Sequence, residues 1–361
     1  VCCDLEGNVK WKNSRQGMAG AERVAVDGGV VYAVNWGPER AEKDGAGKER
    51  KYATNYVYRV AAKDGVYVSW EGSDSPDLHP RDLWPTLDRV APECRNRVDG
   101  LDARDGRVYL SFAKADTVMV VDGRTGKRLR TIEVKEPRDL CAVSDRLVYV
   151  VSGNRSVVAL DPSSGQSKPF VSASEVHGVT VDREGRVYVG IRDPDNQVKV
   201  HTPDGKEAGA IGRKGGRARI GPWTPDGMLC VSELAVDAGG RLWVMESDSA
   251  PKRVSVWEAK TGAFVKEFFG PSSYGALGGA INPVDPSRMV GQGCEWRLDP
   301  KTGRAACLGT LVRSGMENAR FEVVFREPRR LWVSSRHRRR MRCGRNSPKC
   351  SNWRVPPITN D

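Results

Sequence analysis

The chain is poor in the residues that most enzymes and metal sites are built from. Four histidines, at positions 79, 177, 201 and 337, serve 361 residues, too few and too scattered for a three-histidine zinc centre. No Gly-x-Ser-x-Gly occurs, so nothing marks a nucleophile elbow. No Cys-x-x-Cys pair accompanies the nine cysteines, which argues against a zinc finger. No run of 18 apolar residues is present, so no membrane-spanning helix is expected. The first residue is Val1 rather than Met, and no signal-peptide pattern opens the chain. The expectation is a processed or truncated product.

What is abundant is turn chemistry, with 39 glycines and 21 prolines, and a repeat. The stretch from His177 to Gly212, HGVTVDREGRVYVGIRDPDNQVKVHTPDGKEAGAIG, reads as four short strands rich in β-branched and aromatic residues, separated by turns. Two markers recur with it. One is an apolar residue followed by an aromatic in the second strand: Val31-Tyr32, Val108-Tyr109, Val148-Tyr149, Val187-Tyr188, Leu242-Trp243, a degenerate Met289-Val290, and Leu331-Trp332. The other is a glycine between third and fourth strands: Gly7, Gly65, Gly126, Gly165, Gly205, Gly262 and Gly303. Glycine suits these tight turns because they need φ above zero. One four-stranded sheet cannot bury both its faces alone, so a repeat of this length implies stacked or radial sheets. The expected fold is all-β, a β-propeller of seven four-stranded blades, or six if the degenerate repeat is not one.

A turn glycine comes first along the chain and a second-strand marker comes last. Residues 1 to 16 are therefore expected to pair with residues 320 to 335 into the seventh blade, removing the open edges. The propeller would be one domain, residues 1–335, followed by a basic tail, 336–361. The formal charge of +12 resides there: from Arg326 to Arg354 stand eleven Lys or Arg and one Glu, leaving 47 basic and 45 acidic residues elsewhere. Such a run reads as a solvated, disordered tail or an anion-binding patch, and nucleic acid is not expected as a partner of the body. After about Ser335 the period-two pattern is lost, as in an altered reading frame.

Cys141 lies in an apolar first strand and reads as a small core residue. Cys294 and Cys307 flank the DPKTG turn at similar distances, so an oxidising compartment could join them. An extracellular or periplasmic setting is the corresponding expectation.

The segments RVAVDGGVVYAV, HGVTVDREGRVYVG and ELAVDAGGRLWVMESDSAPKRVSVWEAKTGAFVKEF resemble NHL repeats over most of residues 18 to 312. GGAINPVDPSRMVGQG departs from that pattern. The resemblance implies a propeller and leaves function open, since such propellers serve as enzymes, scaffolds and binders.

In such a blade the first-to-second and third-to-fourth turns share one face, and here they are short. The opposite face holds the insertions: 37–54, 71–96, 213–228 and 271–277. Long loops on one rim of a rigid scaffold commonly carry function. Trp36, Trp70, Trp84 and Trp223 lie in or beside them and could stack on a ligand, or could anchor their own loops. At the same face, alignment on the Ala-Val core of each first strand brings together Glu22, Asp99, Asp139, His177 and Ser232, with Glu233 adjacent. Converging carboxylates there could hold calcium, with Asp99 and Asp139 as ligands, or supply acid and base; equally they could line a polar channel. Calcium-dependent lactonases of this fold use Glu, Asn and Asp around the channel, and only Asn318 could supply the Asn.

Two functional expectations result. The first is a non-catalytic, monomeric propeller without a cofactor that binds a protein, peptide or glycan through the long-loop rim. The second is a divalent-cation-dependent hydrolase or lactonase acting at the channel mouth.

Overall fold

The computed structural model describes residues 2–13, 21–43, 47, 49–84, 97–247, 251–270, 279–291, 293–311, 320–327 and 330–336. Of the expected tail all but Arg336 lies outside them, as does Asn318.

The fold is all-β, and its sheets follow one another in chain order as four-stranded antiparallel meanders. The first comprises Ala21–Asp27, Val30–Lys43, Glu49–Ala61 and Asp77–Leu78. The second (Gly100–Arg104 to Arg128–Glu133), third (Pro137–Ser144 to Ser167–Ser172), fourth (Val176–Val181 to Glu207–Ile211) and fifth (Val231–Val236 to Phe264–Gly270) repeat the pattern. The sixth runs from Gly279–Ile281 to Arg304–Thr310 and gains a fifth strand, Gly221–Pro222. This is the sheet type of a β-propeller blade. The expected joint seventh sheet is not among the described pairings: Cys2–Cys3 pairs with Val9–Trp11, and Arg320–Glu327 with Arg330–Arg336, as two separate hairpins.

The turn signals act as read. All seven marker glycines have positive φ, from 67° to 92°. Many of these hairpins are closed by an Asp whose carboxylate takes the turn's own donors. Asp122 accepts from the Thr125 amide at 2.6 Å and its hydroxyl at 2.8 Å. Asp161 accepts from the Ser163 and Ser164 hydroxyls at 2.6 and 2.9 Å, bonds that hold its carboxyl down at about 2. The second-strand aromatic has a similar cause: Tyr188 Oη donates to Asp182 and Trp243 Nε1 to Asp237, each at 2.8 Å.

Contacts divide the chain into two compact units: Val1–Ile191 with Lys199–Gly209 and Glu233–Val236, and Arg192–Val198 with Ala210–Ser232 and Asp237–Asp361. In the first unit, cores form between consecutive sheets. Val34, Val57, Leu101, Leu110, Phe112 and Met119 share one cluster; Tyr109, Val118, Leu140, Val148 and Leu160 a second; Tyr149, Val157, Val179 and Val189 a third. Each such side chain contributes roughly 1.5–3 kcal/mol on burial. The inner strands approach so closely that a Cβ on Gly100 would stand 2.2 Å from the Arg138 carbonyl oxygen, which is why glycine occupies that place. In the second unit, Cys294, Trp296 and Cys307 pack with Trp223, Phe269, Met289 and Leu298.

Cys294 and Cys307 are both free and buried. They do not oppose one another as the turn spacing suggested: Cys294 faces Thr310 and Trp296 faces Cys307, because the ladder shifts between Glu295 and Trp296. A hydrogen bond with the Cys294 thiol and burial push the Cys307 thiol far upward, so it is a poor nucleophile.

Candidate functional site

Backbone pairing with the second-strand tyrosine fixes the level of each inner-strand residue. Ala25 opposes Tyr32, Asp102 opposes Tyr109, Cys141 opposes Tyr149 and Thr180 opposes Tyr188. Three residues earlier stand Glu22, Asp99, Arg138 and His177, and two residues earlier Arg23, Gly100, Asp139 and Gly178. The alignment on Ala-Val cores therefore placed Asp139 one residue out of line. Ala142-Val143 is such a dipeptide, but Cys141, not Ala142, faces the tyrosine.

Almost every candidate at this end is already engaged. Arg23 Nη1 meets Glu233 Oε1 at 2.7 Å, and its Nε donates to the Asp99 carbonyl at 3.0 Å. Asn55 Nδ2 donates to Glu22 Oε2 at 3.4 Å. Asp99 accepts from the Ala113 amide at 2.8 Å and pairs with Arg97 at 3.3 Å. Asp139 Oδ2 accepts from the Val179 amide at 3.0 Å, and Asp102 Oδ2 from the Ala142 amide at 2.7 Å. Both amides belong to the inner strand of the following sheet, whose free edge would otherwise leave donors unpaired. His177 Nδ1 lies 3.1 Å from Asn154 Nδ2 and its Nε2 lies 3.2 Å from Glu175 Oε2. The network thus assigns the ring proton to Nε2. Ser232 is half-buried in Val231–Val236.

Burial, with Glu233 nearby, pushes the Asp139 carboxyl up to about 8, and burial lifts Asp102 to about 6. Burial likewise raises Glu233 against the pull of Arg23. Among the described residues no three His, Cys, Asp or Glu gather to hold a metal ion, and the guanidinium of Arg23 already lies against Glu233 and the Asp99 carbonyl.

The tryptophans divide. Trp70 is 2% exposed, donates to the Pro76 carbonyl at 2.8 Å, and carries the Arg59 guanidinium 4.5 Å over its ring; it is an anchor, not an exposed contact. Trp84 is half-buried, edge-on to Phe112 at 5.3 Å. Trp36 lies in the strand Val30–Lys43 opposite Asn55; its side chain is outside the described residues.

Trp223 is also turned inward. Its segment does not stay on a free rim: Gly221 and Pro222 pair with Thr310 and Gly309 along the edge of the sixth sheet. The indole donates to Glu267 at 3.0 Å, meets Phe269 at 5.4 Å, and lies under Arg217 at 4.5 Å and Arg253 at 5.4 Å. Beneath it Glu246, fully enclosed, joins Arg217 at 3.0 Å and Arg253 at 2.6 Å, and Arg253 joins Glu267 at 2.7 Å. The insertion 71–96 likewise folds back in part: Asp77–Leu78 completes the first sheet, Leu83 is buried, and its carbonyl accepts from Arg128 at 2.8 Å.

Sequence reasoning missed one recurrent device on this face. Asp116, Asn154 and Asn196 adopt left-handed φ of 49°, 56° and 45°, which Asp and Asn tolerate. Asp116 accepts from the Glu136 amide at 2.7 Å and Asn196 from the Cys230 amide at 2.8 Å. Asn154 instead donates to the Val176 carbonyl at 2.7 Å. Asn55, like Asp116 and Asn196, accepts, its Oδ1 taking the Val98 amide at 3.3 Å. An Asp or Asn just before the third strand of the second, third and fourth sheets was the available signal.

The fold and site define an all-β protein of blade-like sheets with a polar, hydrogen-bonded inner edge. No protein-family model matches the chain, and no curated protein matches it. Among solved structures it is similar to Kuenenia stuttgartiensis hydrazine synthase, at 15% identity and a TM-score of 0.40, over 66% of this chain and 74% of that one. It is also similar to the computationally designed Ika4 protein, at 19% identity and 0.32, over 45% and 90%. Neither likeness, at such TM-scores, bears on fold or site.

Proposed function

We propose that the chain is a non-catalytic, NHL-like propeller that binds a protein, peptide or glycan through the loops at the second-to-third-strand end of its sheets. The observation behind this reading is one-sided placement: the segments after Leu78 and after Ile211 are long, against first-to-second turns of only a few residues, and at the same end residues 37–54, expected as a loop, instead prolong the paired strands Val30–Lys43 and Glu49–Ala61. The carboxylates at the same end are tied to backbone amides and to Arg23, which supports scaffolding rather than acid–base work.

Trp84 is the test residue. Peptide display and glycan arrays would identify a ligand; Trp84→Ala is then expected to weaken it by about 2 kcal/mol, with its melting temperature recorded in parallel. Lys127→Ala and Lys206→Ala, in the short turns, should change little. A ligand indifferent to Trp84 but lost with the two lysines would overturn the assignment.

The same reading takes the blade number as seven, closed by residues 1 to 16 with 320 to 335. Its support is the exposure of Val24 and Val26, 57% and 59%, on the first sheet's inner strand, where a neighbouring blade would cover them. Deleting residues 1 to 16 is expected to lower the melting temperature of the remaining chain; an unchanged melt would count against closure.

A further inference from the structure

The paired strands Cys294–Asp299 and Arg304–Thr310 carry the two buried cysteines of the sixth sheet. Side chains alternate between the faces of a strand, and directly opposed residues share a face. Cys294 faces Thr310 and Glu295 faces Gly309, so a regular ladder would set Cys307 opposite Arg297, on the face away from Cys294. The register instead shifts after Glu295, and Cys307 faces Trp296. Leu308 is the extra residue of this bulge, and a one-residue slip turns a side chain to the other face. The bulge thus moves Cys307 onto the face of Cys294, one diagonal step away.

The contacts agree with the register. The Cys307 thiol leans toward Gly309, donating to its carbonyl at 3.8 Å, and Gly309 stands next to Thr310, the residue opposite Cys294. Both cysteines pack with Trp296 in one cluster, 0% and 7% exposed, and the two thiols are hydrogen-bonded to each other. The bulge also holds the insertion 213–228. Its Leu308 carbonyl accepts from the Trp223 amide at 3.0 Å, and the flanking Gly309 and Thr310 pair with Pro222 and Gly221.

We propose that Cys294 and Cys307 are a redox pair, joined by a disulfide under oxidising conditions that fastens the bulge, and with it the edge occupied by the insertion 213–228. A low-molecular-weight disulfide supplies the oxidant. One cysteine thiolate attacks a sulfur of that disulfide and expels a thiolate. The other cysteine, as thiolate, attacks the protein sulfur of the mixed disulfide and expels the second. The two protein thiols give two electrons to the reagent, and their two protons pass to the two released thiols. Because both thiols are enclosed, the exchange belongs to the folding chain or to a transient opening of these strands.

Refolding the full chain from urea in reduced and oxidised glutathione, followed by acid quench, alkylation and tryptic mapping, tests the pair. Cys294 falls in the peptide Met289–Arg297 and Cys307 in Ala305–Arg313, so the bond joins two separate peptides. They are expected as the dominant linked pair, in a protein that melts a few degrees above its reduced form. Cys307→Ser should remove that rise. Recovery of both peptides singly alkylated, either cysteine linked mainly to a different one, or the same rise in Cys307→Ser overturns the proposal. Should Cys307→Ser fail to fold, the peptide map of the unaltered protein decides alone.

Discussion

Glu246→Ala is expected to cost about 3–5 kcal/mol of stability, because it strands two buried guanidiniums rather than deleting a surface pair. The side chains of Arg217 and Arg253 are 1% and 0% exposed where they meet it. Arg253 would keep Glu267 and the Gly227 carbonyl, at 2.7 and 2.8 Å, whereas Arg217 would lose the carboxylate that pairs it. Urea unfolding monitored by tryptophan fluorescence measures the loss. Glu246→Gln, which keeps the shape and some hydrogen bonding, should fall between the two, and a loss below about 1 kcal/mol for the alanine variant would show that the charges are not buried as described.

Trp223→Ala is expected to destabilise by about 3 kcal/mol, the lower end of the range for truncating a large aromatic in a core. The indole fills the space between two guanidiniums, Phe269 and Glu267, while its backbone amide donates to the Leu308 carbonyl at 3.0 Å. The effect should appear in the melt of the free protein. A variant that melts like the unaltered chain would return Trp223 to the other role that its sequence context left open, a surface for stacking on a ligand. Because Trp223 and Glu246 share Arg217 and Arg253, the double variant should cost less than the sum of the two.

The comparison of Trp223 with Trp84 shows what a loop sequence withholds. Both sit in Pro-containing insertions and look alike along the chain. Whether an insertion stays on a rim depends on an edge strand far away in sequence, and nothing in RKGGRARIGPWTPDGM names Gly309 or Thr310 as its partner. Arg217 and Arg253 were invisible for the same reason. Charged residues in a polar loop and an exposed-looking strand read as solvated until a carboxylate on another strand is found to neutralise them.

Local chemistry was legible because it is decided locally. The turn glycines had to reach positive φ and were read from spacing alone; the Asp-x-x-Ser/Thr-Gly hairpins that close on their own hydroxyls, and the donors that Tyr188 and Trp243 return to an Asp six residues earlier, are equally local. Strand number and order within each sheet followed from them. The level of Asp139 could not be read, because Cys141 rather than Ala142 faces the tyrosine and an extra residue is absorbed between Ala142 and Ser144, an offset that leaves the Ala-Val dipeptide looking like the others. The partners of Arg23, Asp139 and Trp223 were settled only in three dimensions, since a long-range pair forms wherever packing brings two chemistries within about 3 Å, and the sequence carries no record of that distance.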